Sequence, residues 1–308
     1  MARSVGIDVG GTKCLGVALD DDHTVISVER QPTPADPNNL VAALTDLIDL
    51  LGPADHVGLG LPGWVDTDGV LRASPHLGAA VGYDIAGAVA ERCGLPAIAV
   101  NDATGATLAE WRIGAGHGVD NLVMVTLGTG IGGGLVADGH LIRGRHGWAG
   151  EFGHMVVHQD GLPCPCGRQG CWERYASGTG LAAAARRSVR TGDRMLDLAC
   201  GDPAAITGEI VVAAALEGDA HAIEIIDELS RWIALGLVNL TNALDPELFV
   251  LGGGAMEGLT SYLGVIEQGF VELLAPPRDQ PAPRIVIAQH GERAGAVGAA
   301  LLHTLWPG

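Results

Sequence analysis

Between Glu151 and Gly178 the chain reads EFGHMVVHQDGLPCPCGRQGCWERYASG. Three of the six cysteines in 308 residues, Cys164, Cys166 and Cys171, fall in this one stretch with the spacing C-x-C-x4-C. Three thiolates so close together, with Gly167 and Gly170 to turn the chain, can converge on one soft cation, and zinc takes four ligands. His154 and His158 are both within reach as the fourth. Four protein ligands close the coordination sphere, so the zinc expected here is structural rather than catalytic.

Other chemistry-bearing residues sit where apolar runs end. The run AIAVND closes on Asn101 and Asp102. A carboxylate at a strand end is well placed to take a proton from an attacking hydroxyl; its other use there is to cap the helix that follows. The stretch DVGGTK, Asp8 to Lys13, is neither a Walker A loop nor G-x-G-x-x-G, and a strand follows it. Gly10 and Gly11 let backbone N–H groups approach an anion, Thr12 can donate a hydroxyl hydrogen, and Asp8 can hold a hydrated Mg2+. TLGTGIGGG, with Gly128, Thr129 and Gly130 at its turn, repeats the placement further along the chain. LGGGAM, with Gly252, Gly253 and Gly254, follows a buried strand and precedes a helical pattern. Three glycine loops at matching strand ends point to phosphate binding; the third is placed to receive a nucleotide, and the loops alone do not separate ATP from polyphosphate as the donor.

The elements that must carry these residues are legible in the apolar patterning. The chain opens as three strands: Val5, Ile7 and Val9 alternate, Gly10-Gly11 turns the chain, and two further strands follow. Leu40, Leu44, Leu47 and Leu51 lie at helical spacing up to Gly52. Strands are expected at HVGLGL and AIAVN and a helix at TGATLAEWRIG. The pattern then restarts, since NLVMVTLGTGIGGGLVADGHLIRG is again strand, glycine turn, strand and short strand, the mark of a duplicated unit. A long helix at AHAIEIIDELSRWIALGLVNLTNAL, strands at LFVL and RIVIAQ and a last helix from Ala294 complete the reading. Two α/β domains, each opened by a three-stranded meander, suit a cleft between lobes. A boundary falls near residues 113–120, and the last helix returns to the first lobe. The division expected is 1–118 with 294–308 as the small N-terminal lobe, and 119–293 as the large lobe carrying the zinc loop.

Composition excludes several classes. Hydrophobic residues at 47% and charged residues at 18% make a globular chain, and 47 glycines without a G-X-Y period exclude collagen. A formal charge of -18 with no basic run argues against nucleic acid as a partner. No apolar stretch reads as a signal peptide or a membrane span, so a cytoplasmic protein without disulfides is expected. Cys14, Cys93 and Cys200, far apart in sequence, read as small buried hydrophobes.

Taken together, DVGGTK, VNDA, TLGTGIGGG, GEFGH, CPCGRQGCWE and LGGG stand in the order and spacing of the ROK sugar kinases, and the chain resembles that family over essentially its whole length. The pairing of ExGH with CxCGxxGCxE carries the resemblance; single glycine loops do not. It implies the two-lobed actin/hexokinase-like ATPase fold, with duplicated ribonuclease-H-like domains and a sugar in the cleft between them. It implies transfer of phosphate from ATP, with Mg2+, to the 6-hydroxyl of glucose, or of another hexose or N-acetylhexosamine, by a homodimer or homotetramer. Sugar-responsive regulators share the fold, but they carry a DNA-binding region ahead of the first loop, and here that loop begins at Asp8.

The resemblance also implies roles for particular residues. Asp102 is the general base and Asn101 touches the sugar. Glu151, His154 and Glu173 lie at the sugar, and His154 rather than His158 joins the three cysteines. An imidazole has two nitrogens, so His154 can serve zinc through one and a hydroxyl through the other. Gly63 lets backbone approach the sugar. In one respect the chain departs from the pattern: where the family has Pro-Asn-Leu, this sequence has Ser74-Pro75-His76-Leu77, so His76 replaces an amide that contacts sugar. Gly82-Tyr83 likewise replaces Gly-Trp.

Overall fold

In β1 (Ser4–Val9) and β4 (His56–Leu61) large residues alternate with glycine, VGIDV in one and VGLGL in the other. The pair therefore has one bulky face and one nearly bare face. The bulky face, Val5, Ile7, Val9, Leu59 and Leu61, is buried with α1 (Pro37–Leu51) and with Ile85 and Val89 of a helix over residues 85–93. The bare face admits backbone. A methyl group on Gly58 would lie 1.8 Å from the carbonyl oxygen of Ala299, so a helix rests directly on the strand. The same face ends in Asp8.

The computed structural model describes residues 3–274 and 281–305. The chain folds into two compact units: one runs up to Leu122 and adds Gly134–Gly150 and the residues from Ala288, and the other comprises Val123–Gly133 and Glu151–Ile287. The fold is the two-lobed actin/hexokinase-like ATPase fold.

The first unit holds β1, β2 (Lys13–Leu19), β3 (Val25–Pro32), α1, β4, the small strands β5 (Trp64–Val65) and β6 (Leu71–Ala73), α2 (Ile85–Cys93), β7 (Ala97–Asn101) and α3 (Asp102–Ile113). Its sheet runs β3-β2-β1-β4-β7, with β1–β3 antiparallel and β1, β4 and β7 parallel. The parallel strands bring Asp8, Leu61 and Asn101 to one edge of the sheet. Asp36 caps α1, accepting from the N–H groups of Asn38 and Asn39, and Gly52 ends it.

The second sheet runs β10-β9-β8-β11-β12, built from β8 (Leu122–Leu127), β9 (Ile131–Ala137), β10 (His140–Ile142), β11 (Leu248–Gly252) and β12 (Arg284–Ile287). Its order repeats the first: meander, first strand, then parallel strands. Between β10 and β11 come the short α4 (Glu173–Ala176), α5 (Gly178–Ser188), α6 (Arg194–Leu198), α7 (Gly208–Leu216) and the long α8 (Ala220–Leu244). Asp219 caps α8, accepting from Ala222 N at 2.8 Å. After β11 come α9 (Gly254–Gly258) and α10 (Leu263–Leu273), whose Phe270 meets Phe249 of β11 edge-on.

The last helix, α11 (Ala294–Ala300), packs in the first unit against α3, β1 and β4, as expected. Two expectations need correcting. Of the scattered cysteines Cys14 is buried, but Cys93 is half-buried and Cys200 is exposed on a turn with φ 54°. The helix expected at Thr104 begins at Asp102, because Asn101 caps it.

Candidate active site

Asp102 stands at the first position of α3, directly after β7. The capping residue is Asn101, whose Oδ1 accepts from Thr104 N at 3.0 Å, so the alternative use of Asp102 as a cap falls away. The Nδ2 of Asn101 donates to Asp102 Oδ1 and to the carbonyl of Gly63, both at 3.0 Å. Asp102 Oδ1 also accepts from Ala103 N at 2.8 Å. One amide side chain thus starts the helix, orients the carboxylate and fixes the neighbouring loop. Gly63 occupies φ 120°, and a methyl group there would lie 2.1 Å from the carbonyl oxygen of Ala73, so glycine is required.

Asp8 reaches the same place from β1. Gly60, paired with Asp8 across the sheet, would put a methyl group 3.4 Å from both Asp8 Oδ1 and Asp102 Cα. The bare glycine face therefore lets two carboxylates stand together. Burial pushes the Asp8 carboxyl up to about 7; the Asp102 charge adds to the rise and Lys13 opposes it. Burial likewise raises Asp102, against the pull of Ala103 N–H, His76 and Asn101. A carboxylate with a raised pKa is a stronger base than a free one.

The first glycine loop is a tight turn, with Gly10 N donating to Lys13 O at 3.0 Å and Thr33 N to Thr12 O at 3.0 Å. Lys13 Nζ is 3.1 Å from Glu292 Oε2. The exposed ring of His76 packs against this loop, since a methyl group on Gly11 would meet its Cγ at 3.0 Å. His76 is thus brought to Asp102 and to Gly11 together.

In the second unit the other two glycine loops lie side by side. A methyl group on Gly253 would stand 2.5 Å from the carbonyl oxygen of Leu127, which ends β8. Gly128 N donates to Gly130 O at 3.0 Å, and Gly128 O accepts from Gly178 N at 2.8 Å. Thr179 Oγ1 bonds to Thr129 O. Gly252 ends β11, and Gly254 opens α9. The start of α5 is therefore a third participant that sequence patterning did not reveal. Its signal was Ser177-Gly178-Thr179-Gly180, a serine cap before an alanine run: Ser177 Oγ accepts from Gly180 N at 3.1 Å.

Next to these loops sits the cysteine stretch. The ligand atoms of His154, Cys164, Cys166 and Cys171 all lie within 4.8 Å of one another. His158 is not among them; it is exposed and stands edge-on to Tyr175 and Trp232. The donor set of three thiols and one imidazole suits Zn2+, and both Cys164 and Cys171 are buried while Cys166 is exposed. Burial pushes the Cys164 and Cys171 thiols up. Burial acts on Cys166 in the same sense, but the Arg168 N–H and bonds from Cys164, Arg168 and Cys171 bring it down to about 6.

Glu173 joins these parts. Its Oε1 accepts from Cys164 Sγ at 3.2 Å and lies 3.6 Å from His154 Nδ1. Its Oε2 would be 2.7 Å from a methyl group on Gly130. The other ring nitrogen of His154, Nε2, faces Glu151 Oε2 at 4.0 Å. The imidazole therefore presents Nδ1 to Cys164 and Glu173 and Nε2 to the carboxylate of Glu151.

The chain is similar to known proteins over nearly its whole length. The model of the ROK family matches residues 4–305. A glucokinase of Streptomyces coelicolor is 35% identical over 97% of this chain and 97% of its own length. An N-acetylmannosamine kinase of Citrobacter koseri is 33% identical over 97% of this chain and 98% of its own. Among solved structures, a ROK family glucokinase from Streptomyces griseus in complex with glucose and AMPPNP superposes with a TM-score of 0.88, at 35% identity, covering 98% of this chain and 99% of that one.

Proposed function

The chain belongs to the ROK family and is an ATP-dependent sugar kinase, and we propose that it transfers the γ-phosphoryl group of ATP to the 6-hydroxyl of glucose. One observation carries this reading furthest: Glu173 touches the glycine loop at Gly130 on one side and the His154/Cys164 cluster on the other. An acceptor for sugar hydroxyls built directly onto a phosphate-binding loop is what phosphoryl transfer to a sugar requires.

In this reading Asp102 accepts the proton of the attacking hydroxyl and orients it. Phosphoryl transfer depends mainly on positioning and charge stabilisation, so the fixed plane of the carboxylate matters as much as its basicity. Asn101 holds that plane and Gly63 together. Glu151, His154 and Glu173 accept from and donate to ring hydroxyls. The N–H groups around Gly10, Gly11, Gly128, Gly130, Gly253 and Gly254 cradle phosphates, with Thr12, Lys13 and Thr129 beside them. Mg2+ bound with the nucleotide would neutralise phosphate charge, and Asp8 is the residue placed to hold it through water. A zinc ion on His154, Cys164, Cys166 and Cys171 would fix the direction of the imidazole.

A second substrate reading has support of its own. An N-acetylmannosamine kinase is 33% identical to the chain and a glucokinase of Thermotoga maritima 31%, and the resemblance puts an amide where this chain has His76. A coupled ADP-release assay over glucose, mannose, N-acetylglucosamine and N-acetylmannosamine separates the two. Glucose should give the highest kcat/KM. Asp102→Asn should cost at least ~10²-fold in kcat, the scale of a lost general base, with sugar affinity changed far less. Preference for N-acetylmannosamine would overturn the acceptor and leave the kinase; full turnover by Asp102→Asn would remove Asp102 from the chemistry.

A further inference from the structure

Glu110 is a completely buried carboxylate on α3 with 0% exposure. Its Oε1 accepts from the backbone N–H groups of Gln289 and His290, at 2.9 and 2.8 Å, and its Oε2 accepts from Ala115 N at 2.9 Å. Burying a carboxylate is costly unless such donors are supplied, and an apolar side chain would pack there without them. Two of these bonds fasten one segment, Gln289 onward, to the helix that begins with Asp102, and the third holds the turn that follows that helix.

That segment grips the first glycine loop at both ends. Glu292 takes Lys13 on one carboxylate oxygen, at 3.1 Å, and Arg30 of β3 on the other. Three residues later, a methyl group on Gly295 would stand 2.8 Å from Asp8 Cγ. Asp8 opens the loop and Lys13 closes it. All of these residues lie in the first unit.

We propose that Glu292 is a positioning residue for phosphate binding: it holds Lys13 in the attitude that receives the nucleotide, and Glu110 holds the segment that carries Glu292. Arg30 shares the carboxylate and keeps it from folding onto Lys13 as a closed pair, which leaves donors of the ammonium group directed outward. The inference rests on the reading that the loop Asp8–Lys13 meets the phosphates of ATP.

The test is binding of AMPPNP with Mg2+ by calorimetry, beside steady-state kinetics with ATP and glucose varied separately, for Glu292→Ala, Glu292→Asp, Lys13→Ala and the double variant Glu292→Ala/Lys13→Ala. Glu292 is half exposed, so these chains should melt with the wild type. Glu292→Ala should weaken AMPPNP and raise the KM for ATP by about three- to fivefold, the range open to an exposed ion pair, with the KM for glucose within about twofold. Glu292→Asp should recover part of the loss. The double variant should be no worse than Lys13→Ala alone, because Glu292 acts only through that lysine. Glu110→Gln should shift the nucleotide constants in the same direction; if that chain does not fold, the Glu292 series still decides. If Lys13→Ala weakens AMPPNP while Glu292→Ala does not, or tightens it, the positioning role is wrong and the loop reading stands. If neither variant alters AMPPNP binding, both fall.

Discussion

Asp8 and Asp102 share a small space behind Gly60, and among the described residues neither has a cation of its own within a hydrogen bond. The consequence for Asp8 is a measurable dependence on pH. Its carboxyl rises from an ordinary 3.8 to about 7 in the folded chain. Its contribution to stability is therefore fully present below about pH 4 and is lost as pH climbs through 7, where the folded protein must hold the charge. Asp8→Asn carries no charge at any pH. In urea titrations without ligand, that variant should gain on the wild type steadily from about pH 4 to about pH 7 and level off above it. A gap that stays constant across that range would show that Asp8 titrates normally. The placement of such residues was legible in part. The spacing of Cys164, Cys166 and Cys171 announces a metal ligand set, but spacing left two histidines in range; the resemblance chose His154, and the fold turns His154 to the thiols and His158 to Tyr175 and Trp232. The buried carboxylate of Glu110 was invisible, because nothing local marks a glutamate whose partners lie some 180 residues along the chain.

At the scale of the element, the packing of α3 on α11 depends on two glycines meeting. A methyl group on Gly298 would lie 1.6 Å from the carbonyl oxygen of Gly105. No side-chain movement relieves a clash with backbone, so Gly298→Ala should cost about 1–3 kcal/mol or more and lower Tm by several degrees, roughly 5 °C. Gly264→Ala, on α10 with open space around it, should leave Tm within about 2 °C. Equal melting of the two variants would mean the helices separate at little cost. The strands of the two five-stranded sheets, α1, and α8 from Ala220 to Leu244 were legible from their periods and their ends, whereas the small pair β5 and β6 was not. Helices α2, α5, α7 and α10 were not. The segment GTGLAAAARRS of α5 opens with two glycines and then offers mostly alanine, too small to declare a face. GEIVVAAAL of α7 is apolar nearly all round and contains β-branched residues, so its period is blurred. Tertiary packing, not local preference, makes these helical.

For the whole molecule the duplication was legible from strand and turn alone, and the two sheets bear it out: β3-β2-β1-β4-β7 repeats as β10-β9-β8-β11-β12. Among the described residues no helix is long and apolar enough to cross a membrane. The cysteine cluster belongs wholly to the second unit, so a metal ion held there would stabilise that unit. The purified chain should contain about one zinc per subunit, and Cys166→Ser, or incubation with a chelator, should lower zinc content and Tm together and weaken glucose binding, because ligand deprotonation and folding are coupled to the ion. Metal-free protein with wild-type Tm and glucose affinity would refute this.

The bare glycine face of β1 and β4 has a further consequence, for the order of events during synthesis. Its cover, α11, is made last, some 190 residues after α3 is complete. At about 5–20 residues per second that interval lasts on the order of ten seconds or longer. Throughout it the central strands of the first sheet wait with one side covered only in part, by α3, while every residue of the second compact unit leaves the ribosome ahead of α11. The half of the protein translated second is thus the first able to finish folding. The half translated first stays open to chaperones, and to its neighbours on the polysome, until the final helix arrives.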